Sequence, residues 1–153
     1  MSQVGIGIVL DKVRMSKNIL VMKNMELKTI NENAAIEHLK VFYPTIQNEI
    51  VQLSAQDNFA GVIQATVNHL KSLLQESKIN IVNHNIKMMD WIYRNGTNTV
   101  QQIIENLFVR SFRSFKKQTD LHQWNILYQF MPVNFQKIYV KQTKMDEILF
   151  KKH

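Results

Sequence analysis

Thr99-Val-Gln-Gln-Ile-Ile-Glu-Asn-Leu-Phe-Val-Arg-Ser-Phe-Arg-Ser-Phe-Lys116 is the most regularly patterned stretch of the chain. Its apolar residues are Val100, Ile103, Ile104, Leu107, Phe108, Phe112 and Phe115. They recur at steps of three and four, so a helix over 99–116 presents them on one face.

The same period extends in both directions. Asn31 is placed to cap a helix carrying Ala35, Ile36, Leu39, Phe42 and Tyr43, which Pro44 ends. Thr45 is the expected cap of a second short helix through Ile46, Ile50 and Leu53. Asp57 is the expected cap of a longer one, about 58–76, with Phe59, Val62, Ile63, Thr66, Leu70, Leu73 and Leu74 on its stripe. Gly61 near its start suggests close packing of another helix. Val82, Ile86, Met89, Ile92 and Tyr93 define the next, about 79–94; Arg94-Asn95-Gly96 reads as its end, with glycine taking the left-handed conformation. Thr97 or Thr99 caps the 99–116 helix. Asp120 caps one with Leu121, Trp124, Leu127, Tyr128 and Met131, broken at Pro132. A final pair of short helices would hold Phe135, Ile138 and Tyr139, then Met145, Ile148 and Leu149. The fold class is all-α: about seven helices joined by short loops, in an irregular multi-helix bundle or short α-α superhelical array.

Composition supports this. Among 153 residues there are four glycines and two prolines, too few turn formers for a sandwich or barrel. Hydrophobic residues make up 45%, enough for a core and well above a disordered chain. The absence of cysteine excludes disulfides, thiolate zinc sites and cysteine nucleophiles, and fits a reducing cytoplasmic setting. No apolar run reaches the length of a bilayer span, so no membrane partner is expected. Residues 1–24 stand apart: Lys12, Arg14, Lys17 and Lys23 face Asp11 alone, and no helical stripe runs through them. They read as a poorly ordered or mis-started leader before a single helical domain over 25–153. The run Val4–Leu10 lacks the preceding basic residue and following cleavage pattern of a secretory signal.

Few chemistries survive inspection. Neither nucleotide-cradling glycine motif occurs, and His38, His69, His84, His122 and His153 have no metal-ligand spacing. No cofactor or metal is expected. Glu76, Asp90 and Glu105 lie on successive helices and would form an acid–base site only if they converged. Asp90 sits four residues before Arg94, where an ion pair is the simpler role. The chain therefore reads as non-enzymatic.

What remains is charge. The net charge is +7, and no acid lies between Glu105 and Asp120. Arg110, Arg113 and Lys117 follow helical spacing on a face away from the phenylalanines, with Lys116 beside them. This cluster and Trp91 are the candidate partner-binding residues. An acidic protein is the expected partner; nucleic acid bound through the basic face is the alternative.

The stretch Asp90-Trp-Ile-Tyr-Arg-Asn-Gly96, the run from Val100 to Phe112, Met131-Pro132 and Tyr139-Val-Lys-Gln142 resemble a family of small all-helical bacterial proteins. The resemblance spans roughly 32–143 and implies a single-domain protein of the immunity or interaction type, with no catalytic residues to carry over. Many nuclease-neutralising immunity proteins are acidic, whereas this chain is basic.

Overall fold

The computed structural model describes residues 29–151, and these are helical throughout apart from short connections. In chain order the helices are α1 (Glu32–Phe42), α2 (Gln47–Ser54), α3 (Phe59–Gln75), α4 (Ile79–Asn95), α5 (Asn98–Ile103), α6 (Phe112–Gln118), α7 (Leu121–Gln129) and α8 (Val133–Lys151). A π-helical turn (Ile104–Phe108) and a 3-10 turn (Val109–Ser111) join α5 to α6 without a break. The all-α class is therefore established, and counting 98–118 as one run gives seven helices among the described residues. The expected leader 1–24 lies outside the described residues.

Local chemistry sets most boundaries. The Asn31 side chain accepts the Ala34 N–H at 2.9 Å and starts α1. Asp120 and Gln123 form a reciprocal capping box at α7. Thr97 caps α5 through the Val100 N–H. Several expectations need correction. Thr45 caps nothing: Pro44–Ile46 forms a 3-10 turn, and α2 starts at Gln47 without a side-chain cap. Asn58, not Asp57, caps α3, accepting the Gly61 N–H at 2.8 Å. A Cβ on Gly61 would collide with that Asn58 side chain, so the glycine makes room for its own helix cap and not for another helix.

Left-handed backbone falls elsewhere than expected. Gly96 is extended, at φ −86° and ψ 155°. It is needed for space: a Cβ would meet Val100 Cγ1 at 2.8 Å and the Ile92 carbonyl at 2.9 Å. Ile30 lies alongside, its N–H bonded to Asn95 O and its carbonyl to Thr97 N–H. Among the described residues the left-handed ones are Asp57 (φ 53°) and Ser77 (φ 59°), each closing the preceding helix. At the first end Asn58 N–H reaches Leu53 O and Asp57 N–H reaches Ser54 O; at the second Lys78 N–H reaches Leu73 O and Ser77 N–H reaches Leu74 O, each pair the closure of a Schellman end.

The final two short helices are instead one, α8. Pro132 supplies the first carbonyl, to Gln136 N–H, and neither glycine nor proline follows to stop the helix.

α3 is central. Its buried residues run around most of its circumference, from Phe59 to Leu74. It packs against α1, α2, α4, the π turn and α6. Fully buried Phe112 meets Phe108, Phe115, Phe135 and Tyr139 at centroid distances of 5.6, 5.5, 6.0 and 6.2 Å. Phe135 is the one fully enclosed residue of α8, so this aromatic contact seats the last helix.

Asp57 carries the steric cost of a side chain in the left-handed region. Asp57→Gly is expected to stabilise the fold by about 0.5–1 kcal/mol, read as a higher urea midpoint at unchanged slope. An unchanged or lower midpoint would mean that the Asp57 side chain offsets its backbone strain.

Candidate interaction surface

The basic cluster is only partly free. Asp146 of α8 accepts from Arg110 through both carboxylate oxygens, at 2.9 and 3.0 Å, and from Arg113 at 3.1 Å. The Asp146 side chain retains 20% exposure, against 48% and 46% for the two arginines. Arg110 and Arg113 thus hold α8. Lys116 and Lys117 are exposed and form no ion pair among the described residues.

Trp91 is half-buried in the α1–α4 seam. Its ring meets His38 edge-on at 4.9 Å and Phe42 at 6.1 Å. On the buried side of the same seam, the Tyr43 hydroxyl donates to Asn85 O at 2.9 Å.

The three carboxylates divide. Glu76 is exposed and paired with Lys78 at 2.8 Å, which lowers its pKa through that hydrogen bond and charge. Asp90 is buried, receiving Arg94 Nε at 3.0 Å and Asn134 Nδ2 at 3.4 Å. Glu105 accepts the Tyr93 hydroxyl at 2.6 Å. Asp90 and Glu105 both act on Tyr93, whose pKa is raised by burial first and then by the Glu105 hydrogen bond. The pair is structural in form: each carboxylate is engaged by a donor from a neighbouring turn or helix.

Glu105 also ties down α8. In an unbroken α-helix its carbonyl would receive the Val109 N–H. In the π turn Val109 bonds Ile104 O instead, and Gln142 Nε2 donates to Glu105 O at 2.9 Å. Beyond this point α8 is anchored by Asp146, while its other faces open outward.

That outward surface carries unusual apolar exposure. Of eleven exposed large hydrophobic residues among those described, four fall within 145–150: Met145, Ile148, Leu149 and Phe150. Together with Tyr128 and Val140, Met145 and Ile148 line an open groove of about 620 Å³. Lys137, Lys141 and Lys144 also line it. Met145, Ile148 and Leu149, the apolar residues expected on a separate last helix, are thus surface residues of α8. The clue to this was present: apolar residues at 145, 148, 149 and 150 cover too wide an arc of a helix to face one core.

Among the described residues, no group of three or more His, Asp or Glu could hold a metal ion, and no helix is long and apolar enough to cross a membrane.

Two measurements test this geometry. Tyr43 and Tyr93 both have pKa values raised well above 10.0, chiefly by burial. Folded phenols therefore stay protonated where unfolded ones ionise, so stability holds below pH 10 and falls as pH rises above it. Denaturant midpoints should decline from about pH 10 upward, and less steeply in Tyr93→Phe; an identical decline would exclude Tyr93 as a contributor. Asp146→Ala removes both arginine contacts at a cost of about 0.5–1 kcal/mol. Amide exchange should accelerate selectively over 143–151; uniform exchange across the chain would contradict local anchoring.

A family model described as "Domain of unknown function (DUF7674)" matches residues 36–145. No curated protein and no solved structure matches the chain.

Proposed function

The chain belongs to the DUF7674 family, and we propose that this member is a non-enzymatic helical module that binds another protein through the outward face of α8. The observation carrying this reading is the apolar surface at Met145, Ile148, Leu149 and Phe150, held out on a helix whose inner face is already anchored. Clustered apolar exposure of this kind marks interaction sites. The reading moves the docking surface away from Arg110 and Arg113, whose charge is shared with Asp146. Lys116, Lys117 and Trp91 stand as peripheral candidates.

Its narrower form is a neutralising role of the immunity or antitoxin kind in a bacterial cytoplasm, supported by the helical resemblance and the cysteine-free composition. The nucleic-acid reading has less support, because the same aspartate engages both arginines of the basic face.

Affinity capture with the full chain from its native cell tests the reading. Met145 and Ile148 are each 50% exposed, so Met145→Glu with Ile148→Glu should leave the thermal midpoint nearly unchanged. The expected result is a stoichiometric protein partner lost in the double variant. Recovery of no partner, or of the same partner with the double variant, would refute binding through α8.

A further inference from the structure

The groove beside α8 also has a chemistry that selects its occupant. Every charged residue lining it is a lysine. Lys137, Lys141 and Lys144 are four and three residues apart, so they form one line about 10 Å long on the helix. The floor beside that line is Tyr128, Val140, Met145 and Ile148. Neither nearby acid lines the groove: Asp146 turns to Arg110 and Arg113, and Glu147 lies off it.

Resting on the reading that α8 binds a protein, we infer that the groove takes an acidic amphipathic helix of that partner. Aliphatic side chains enter beside Val140, Met145 and Ile148. Asp or Glu residues at matching four–three spacing meet the three lysines. Charge disfavours the other occupants within reach. A second copy docked symmetrically through the same groove brings a lysine line against a lysine line. The chain's own first 24 residues carry Lys12, Arg14, Lys17 and Lys23 against only Asp11. A phosphate backbone would satisfy the lysines but leave the apolar floor without a complement.

Two arms test the proposal on the full chain. In the first, a fluorescent helical peptide with a leucine face flanked by glutamates is titrated beside glutamine and lysine counterparts. Vesicles containing phosphatidylserine form the parallel series. The glutamate peptide should bind about tenfold tighter than the glutamine peptide at low salt, from three favourable pairs. The preference should shrink as salt screens the pairs. Lys137→Glu, Lys141→Glu and Lys144→Glu together should reverse it in favour of the lysine peptide. Equal affinity for the glutamate and glutamine peptides, or binding to vesicles alone, overturns the proposal.

In the second arm, a photo-crosslinking residue replaces Val140 in the native cell, and the linked peptide is sequenced. An acidic amphipathic segment of another protein supports the inference. A neutral or basic segment of another protein overturns it and leaves protein binding through α8 standing. Linkage to residues 1–28 or to a second copy overturns it as well. If no other protein is linked and affinity capture also recovers none, both readings fall.

Discussion

The π turn at Ile104–Phe108 is the constraint on which the arrangement depends. Val100, Ile104, Phe108 and Phe112 are spaced by fours, and each is fully buried. On a uniform α-helix twelve residues turn the stripe by about 120°, which would carry Phe112 off the face that Val100 defines. One widened turn slows that drift and keeps all four buried, the π turn and α6 packing on α3 while α5 packs on α1 and α4. The same widening takes Val109 N–H away from the Glu105 carbonyl and opens that acceptor to Gln142. One local irregularity thus both fills the core and provides a polar register mark for α8.

α8 is held by three kinds of contact along its length. Phe135 and Tyr139 enter the aromatic cluster around Phe112; Gln142 reads the π-turn carbonyl; Asp146 bridges Arg110 and Arg113. Apolar burial contributes most, at about 1.5–3 kcal/mol for a fully enclosed phenylalanine. The half-exposed ion pairs contribute less and mainly fix orientation. Anchoring weakens from the aromatic cluster at Phe135 to the last turn of α8, while apolar exposure grows from Val140 to Phe150. A helix can present an adhesive surface this way without endangering the core that supports it.

Charge is distributed in two layers. Arg110 and Arg113 look inward to a carboxylate and serve the fold. Lys137, Lys141 and Lys144 line a groove that no acid lines. The carboxylates follow the same economy: Asp90 with Arg94 and Asn134, and Glu105 with Tyr93, are absorbed into structural contacts between helices.

The sequence by itself determined the all-α class, the core stripes and several caps, because each depends on residues three or four apart. Asn31, Thr97 and Asp120 act within their own first turn, and Phe112 belongs to a stripe visible without any partner. The π turn within the 99–116 helix was not among the expectations drawn from that stripe. Only the tertiary structure decided which side chains meet across helices. Asp146 lies 33 and 36 residues from the arginines it engages, so no local pattern could show that they were already paired. It likewise decided that Met145 and Ile148 are surface and not core. An apolar residue on a helix reveals its preference for burial, but only the position of the neighbouring helices determines whether burial is available there.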